Sequence, residues 1–325
     1  MFQNQCSKLF CCAAIAAIAQ PALAQNYPNK PIRFIVGFAP GGPNDILARI
    51  VGQKLSEGFG VPMPVDNRPG ADSMIGTQLA ARATPDGYTI CMLSASATIH
   101  PSVYQNVPYD VAKDFSHVSI LASGAFVVVV NPQVPVKTVK DLIALAKSKP
   151  GALNFASSGT GGTLHLASEL FKSMAHVDMN HVPYKGGAPA ATDVVSGQVQ
   201  LMFSPIAVAK PHVKANRLRM VAVTSAKRWP SLPDVPAIAE TIPGYEATGW
   251  YGIVAPAKTP RPVVMRLNQE IVKAVSSADV KQQLASFDLE PIGSSPGQMT
   301  SHINDELQKW AKVARDAKLT KAVTH

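Results

Sequence analysis

The chain has 325 residues, is 46% hydrophobic and 16% charged, and carries a formal net charge of +9 from 30 Lys and Arg against 21 Asp and Glu. That length can build two α/β units with real cores, and the scattered basic excess lacks the blocks and aromatic interleaving of a nucleic-acid surface. Of four cysteines, Cys6, Cys11 and Cys12 lie close to the N-terminus and only Cys91 lies beyond it, which excludes a disulfide framework in the body of the chain.

Residues 1–24 read as a secretory signal peptide. Lys8 supplies the positive start, Leu9 to Ile18 the apolar stretch, and Ala22-Leu23-Ala24 an A-x-A cleavage pattern before Gln25. Cys11 and Cys12 precede most of the apolar core and lack the small residue expected ahead of a lipidated cysteine, so a soluble secreted product is expected. No later stretch approaches the ~18 apolar residues of a membrane span.

The first structured motif is Phe34-Ile35-Val36-Gly37-Phe38, an apolar run of strand length, ending in Pro40-Gly41-Gly42. Helical periodicity follows at Ile46, Leu47, Ile50, Val51 and Leu55, with Pro43 at the first helical position, where its missing N–H has no partner to lose. Such a helix start presents unpaired amides and the positive pole of the helix dipole, a natural cradle for an anion. Taken alone, the motif reads first as an ordinary turn between strand and helix. Strands are predicted over Val61–Val65 and Tyr88–Leu93, with a loop at Asn67–Gly70 and a helix through Ile75 to Ala83 between them. Cys91 sits in the second of these strands as a buried structural thiol. The polar stretch Ser94-Ala95-Ser96-Ala97-Thr98 is a loop that can form a further ligand wall, through Ser94 and Ser96.

Phe126–Val130 is an unbroken buried strand, and a first crossing between lobes is placed just before it. A helix over Val139–Lys147 leads to a second copy of the cradle: strand Leu153–Ser157, turn Ser158-Gly159-Thr160-Gly161-Gly162-Thr163, and a helix with Leu166, Leu170, Phe171 and Met174 on one face. Strands at His181–Tyr184, Val199–Phe203 and Leu218–Thr224, with a helix at Ala188–Ser196, complete this lobe. The return crossing is placed near Thr248-Gly249-Trp250-Tyr251. Helices Val263–Ser276, Ala278–Ser286 and Pro296–Lys318 then pack back on the first lobe. The expected organisation is therefore a leader (1–24), a discontinuous first lobe (25–125 and 248–325) and a second lobe (126–247). Strand–helix alternation makes it α/β with parallel or mixed sheets, and two crossings suit a hinge. The densest basic set, Lys309, Lys312, Arg315, Lys318 and Lys321, forms the solvated face of the final helix.

An ordered set of short motifs extends along this chain. Tyr27-Pro28 and Pro31-Ile32 precede the Pro-Gly-Gly loop with Asp45 and Ala48-Arg49, followed by Asn67-Arg68-Pro69-Gly70-Ala71 and Pro85-Asp86-Gly87-Tyr88-Thr89. Then come Gly159-Thr160-Gly161 with His165-Leu166, Val182-Pro183-Tyr184-Lys185-Gly186, Leu232-Pro233-Asp234-Val235-Pro236, and Trp250-Tyr251-Gly252 with Ala255-Pro256. From about Tyr27 onward the sequence resembles the Bug-type solute receptors, the periplasmic binding component of tripartite tricarboxylate transporters. The resemblance implies a two-lobed periplasmic-binding-protein type II fold and a small organic carboxylate held between the lobes for delivery to membrane transporter subunits. It implies a monomer with no cofactor, no metal and no catalytic residues. Carried over residue by residue, the ligand set is Phe38, Pro40, Gly41, Gly42, Asn44 and Asp45 from the first loop and Ser158, Thr160, Gly161, Gly162 and Thr163 from the second. The chain departs from the family pattern at Pro43 and Asn44, where Ser or Thr is frequent, and at Gln200 and Ser204, where acids are common. It departs again at Asp72-Ser73-Met74, where Gly-Gly-Asn is common. Losing the acids at 200 and 204 points to a plain carboxylate rather than an amino acid.

Other chemistries find little footing. Gly159-Thr160-Gly161 lacks the third glycine of a dinucleotide loop, since Leu164 stands there, and Asp178 precedes its strand. The eight histidines show no paired metal spacing, and no Gly-x-Ser-x-Gly elbow occurs. His165 or Asp45 could serve an enzyme acting on a small acid, but no nucleophile–base pair accompanies them. Asp45 is expected to accept loop amides and hold its turn rigid, and His165 to hydrogen-bond or pack. A receptor docking to a membrane signalling partner remains a further reading.

Overall fold

A computed structural model describes residues 27–184 and 186–319; the leader expected from the sequence, with Cys6, Cys11 and Cys12, and Lys321 lie outside the described residues. The chain enters at β1 (Arg33–Val36), runs through α1 (Pro43–Phe59) to β2 (Val65–Asn67), and through α2 (Met74–Ala81) to β3 (Thr89–Ser94). Both β2 and β3 lie parallel to β1, one on each side. Phe34 and Val36 face a core shared with α1, while Ile35 faces the opposite core with Met74 of α2. This is the alternation that a pleated strand imposes.

After α3 (Ser96–Val103) comes the longest strand, β4 (Phe115–Val130), then α4 (Val139–Ser148), β5 (Asn154–Ser157) and α5 (Thr163–Ala175). The second parallel group follows: β6 (Asn180–Pro183), α6 (Gly187–Ser196), β7 (Leu201–Pro205), α7 (Ile206–Lys214) and β8 (Arg219–Val223). β5 pairs in parallel with β6 and β7. The chain returns along β9 (Thr248–Pro256) and ends in α8 (Arg261–Ser276), α9 (Ala278–Ser286), β10 (Glu290–Pro291) and α10 (Pro296–Asp316).

β4 belongs to both groups. Up to Ala125 it pairs antiparallel with β9, and from Phe126 it pairs antiparallel with β7. β9 in turn pairs antiparallel with β3, so the sheet is mixed. Val128 and Val130 join the core of α4 and α5, whereas Val127 and Val129 join that of α6 and α7. α10 spans the two groups: Met299 and Ile303 pack with β3 and β9, and Trp310 joins the core around β5 and β7. Its Lys312 and Arg315 are exposed, as a solvated face should be; the helix stops at Asp316, short of Lys318, which is exposed in the turn beyond. Cys91 is buried among apolar neighbours, which pushes its thiol up to about 12. Among the described residues no helix is long and apolar enough to cross a membrane.

β2, α3 and α7 are among the elements that differ from the sequence pattern. β2 begins only at Val65, because Pro62 and Pro64 have no N–H to give; their carbonyls still accept from Ile32 and Phe34 at 3.0 and 2.9 Å. The stretch read as a loop after Ser94 becomes helix α3 from Ser96, with Ile99 and Val103 fully buried and the Thr98 hydroxyl donating to the Ala95 carbonyl. α7 forms although it contains Pro211.

Candidate functional site

Two turns with nearly the same backbone stand at the ends of β1 and β5. Gly41 has φ 86° and Gly161 φ 78°, a region that costs a residue with a Cβ about 1–2 kcal/mol. The following glycines, Gly42 and Gly162, cap α1 and α5 at φ/ψ of −83°/169° and −80°/169°. Neither cap has a side-chain oxygen to satisfy the first-turn amides, so those N–H groups stay available to an anion.

Each turn is held by an acceptor four residues on. In the first, the Gly41 N–H donates to Asp45 Oδ2 at 2.9 Å. The same carboxylate accepts from Arg49 Nε at 3.0 Å and Asn67 Nδ2 at 2.9 Å, and Asn67 also donates to the Phe38 carbonyl. Burial pushes the Asp45 carboxyl up, but hydrogen bonds from Arg49, Gly41 and Asn67 outweigh it and hold it below the usual carboxylate value. In the second, the Gly161 N–H donates to His165 Nδ1 at 3.0 Å. That bond puts the imidazole proton on Nε2, which lies 3.7 Å from Glu169 Oε1. His165 stacks on His181 with ring centroids 3.7 Å apart. His181 Nε2 meets the Ser157 hydroxyl at 2.6 Å, and that hydroxyl donates to the Gly159 carbonyl. Burial, reinforced by His165, lowers His181 to about 4.

Between the turns lies a cavity of about 230 Å³. Phe38 and Asn44 reach it from the first turn, and Ser158, Gly162 and Thr163 from the second. Ser94 at the end of β3 and Ser96 at the start of α3, their hydroxyls 3.1 Å apart, also line it. Phe126 of β4 and Gly249, Trp250 and Tyr251 of β9 contribute beside the point where β4 passes from β9 to β7. The remaining sequence-predicted residues do not line it. Pro40, Gly41 and Thr160 are exposed at the turn tips, Gly42 is half-buried, Gly161 is buried, and Asp45 braces the first turn from behind. Two buried polar atoms beside the cavity, Asn44 Oδ1 and Trp250 Nε1, find no partner among the described residues. Gln200 and Ser204 lie on or next to β7 and do not line the cavity; Gln200 accepts from the Asn154 N–H at 3.0 Å.

Besides Phe126, Gly249, Trp250 and Tyr251 of β4 and β9 and their neighbours Ala95 and Leu164, sequence reasoning missed one charged wall. Asp72 lines the cavity from the loop before α2. Gly70, Ala71, Asp72 and Ser73 have φ of 131°, 47°, 48° and 75°, and three of them pay a Cβ penalty. Ser73 sits so close to Gly37 that a Cβ there would lie 2.6 Å from its own. The departure from Gly-Gly-Asn at positions 72–74 was the one available signal, since side chains replace two residues suited to positive φ.

The described residues contain no cluster of His, Cys, Asp and Glu able to hold a metal. The arrangement offers hydroxyls, first-turn amides and aromatic edges, which suit capture of a small anion. The family model described as tripartite tricarboxylate transporter family receptor matches residues 47–319. The protein BugT of Bordetella pertussis is 35% identical over 306 residues, covering 93% of this chain and 94% of that one. A solved R. palustris protein with adipate is 36% identical, covers 90% of this chain and 99% of its own, and superposes with a TM-score of 0.78. MatC from Rhodopseudomonas palustris with bound malate is 27% identical over 89% of this chain and 100% of its own, with a TM-score of 0.74. The fold is that of a periplasmic binding protein, and the chain belongs to the tripartite tricarboxylate transporter receptor family.

Proposed function

We propose that this protein captures a small dicarboxylate in the periplasm and hands it to a tripartite tricarboxylate-type membrane transporter. The observation that carries the reading is the pair of glycine-capped helix starts, α1 and α5, opening on one cavity without side-chain caps. Uncapped helix starts favour carboxylates through both free N–H groups and dipole, and adipate and malate in two solved relatives support that chemistry. β4 passes from β9 to β7 directly after the pairs Gly124–Gly249 and Ala125–Thr248. This supports lobes of residues 25–125 with 248–325 and of 126–247 that bend there and close on the ligand. Residues 1–24 serve as the cleaved leader, and the protein binds without turning its ligand over.

The test is the small molecule that the purified protein retains, read by mass spectrometry, followed by scattering with that molecule at saturation. A dicarboxylate and a smaller radius of gyration are expected. A hundredfold excess over the dissociation constant should add about 2.7 kcal/mol of apparent stability. A non-acidic ligand, or turnover of the acid, would overturn the reading. The secreted form should begin at or near Gln25 by intact mass.

A further inference from the structure

A carboxylate ligand entering this cavity meets a carboxylate already there. Asp72 is the only acid among the described lining residues, and its side chain is 38% exposed. It is not there by default. Four successive residues adopt positive φ to carry it, a conformation L-residues avoid unless the surroundings impose it. Backbone bonds from Met74 N–H to the Ala71 carbonyl and from Thr77 N–H to the Ser73 carbonyl, both 3.0 Å, lock that turn.

Behind Asp72 stands a buried brace. His100 of α3 is fully buried, with Nε2 2.9 Å from Asp72 Oδ2 and Nδ1 2.7 Å from the Tyr109 hydroxyl. The chain of bonds is complete when Tyr109 donates to Nδ1 and Nε2–H donates to Asp72. One carboxylate oxygen is thereby fixed, while Oδ1 accepts no hydrogen bond from any described residue. An ionised carboxylate is acceptor-only, so this wall complements a donor and repels a second anion.

Resting on the dicarboxylate reading above, we infer that Asp72 selects among acids: the preferred ligand carries a hydroxyl or ammonium group that Oδ1 accepts, in addition to the carboxylate held by the helix starts. The acid that recognises this group is thus at 72, on a wall of the cavity that β7 does not reach, and the loss of acids at 200 and 204 has no bearing on it. Asp72 is a specificity residue; His100 and Tyr109 are positioning residues that fix its rotamer.

The test is calorimetry on the ligand-free protein with three matched sets: succinate, malate and aspartate; glutarate, 2-hydroxyglutarate and glutamate; adipate, 2-hydroxyadipate and 2-aminoadipate. In at least one set the hydroxyl or amino member should bind ten- to a hundredfold more tightly than the unsubstituted acid. The set in which it does so then separates hydroxyl from ammonium. Asp72→Asn should bring that ratio to about one at an unchanged melting temperature, and Asp72→Ala serves the same purpose if the amide disturbs His100. Unsubstituted acids that bind as tightly as their partners would overturn the inference and leave the dicarboxylate reading standing. Failure of all nine would overturn both. A preference that survives in a natively melting Asp72→Asn protein would place donor recognition elsewhere and overturn the assignment.

Discussion

The two glycine turns share a backbone and differ in what holds it. Both bind the N–H of a positive-φ glycine to a side chain four residues on, yet one acceptor is the Asp45 carboxylate and the other the His165 imidazole. The carboxylate has two oxygens and gathers Gly41, Arg49 and Asn67. The imidazole offers a single lone pair and gains its rigidity from stacking on His181 instead. Local geometry therefore does not dictate chemistry. An anion cradle needs its turn fixed, and either a charge network or an aromatic stack can do it.

The sharpest way to break this comparison is to put a branched side chain on the glycine. Gly161→Val forces valine into φ near 78° and shifts the N–H that His165 accepts. Losing one or two charge-assisted bonds to the ligand, at roughly 1.5–3 kcal/mol each, should weaken binding by about ten- to ten-thousandfold. Gly41→Ala is the gentler partner. Nothing lies within 4 Å of an added Cβ there, so only backbone strain acts and the melting temperature should fall a few degrees. Lys318→Ala, in the exposed turn after the last helix, should change neither. Native affinity in a well-folded Gly161→Val protein would remove the second cradle from the site.

Next in size is the acceptor itself. Asp45→Ala strands the Gly41 N–H and an Asn67 donor, and should lower the unfolding free energy by about 2–4 kcal/mol in urea titrations. His165→Gln should cost less, about 1–2 kcal/mol, because one bond is at stake and the amide oxygen can still accept it. Equal losses would mean that the charge network adds nothing over the stack.

These contrasts were only partly legible in the sequence. Strand, glycine pair and amphipathic helix are local signals, and both cradles stand where those signals put them. Phe115–Ala125 of β4 is another matter: its polar residues disguise a buried strand, because their partners are remote. The Ser119 hydroxyl donates to the Ser294 carbonyl, and His117 Nδ1 meets the Thr300 hydroxyl at 2.9 Å. Ser94 and Ser96 were legible as a polar wall although Ser96 opens a helix. Asp72 was not, because its meaning comes from His100, 28 residues on in a separate helix.

A smaller effect concerns the link between the two groups of strands. Asp288, between α9 and β10, accepts from Lys210 of α7 at 3.0 Å and from the Ser231 hydroxyl at 2.8 Å. Its carbonyl accepts from Trp229 Nε1 at 3.2 Å. Asp288→Asn keeps a residue tolerant of its φ of 56° and removes the charge. Stability should fall by about 1–2 kcal/mol. If this clasp holds the groups together, scattering of the ligand-free variant should also show a larger radius of gyration; an unchanged radius would make it a local contact.

The smallest expected effect separates the two turns by acid. His181 titrates near 4 when folded against an ordinary 6.5, because burial and the neighbouring His165 disfavour its charge. Between those values the unfolded chain binds a proton that the folded one refuses, so stability around the second turn is complete above about 6.5 and falls as the pH drops toward 4. Asp45 behaves oppositely. Its folded value lies below the ordinary 3.8, so its contribution is intact above that and is lost only as the pH falls through the lower value. Over the interval from 6.5 to 4 only the histidine-backed turn should loosen. Hydrogen exchange, corrected for the intrinsic pH dependence of the amide rates, should show protection declining over residues 157–165 while residues 37–45 hold theirs. Equal loosening of both segments would mean that acid acts on the whole molecule, and the different acceptors would then have no separate consequence.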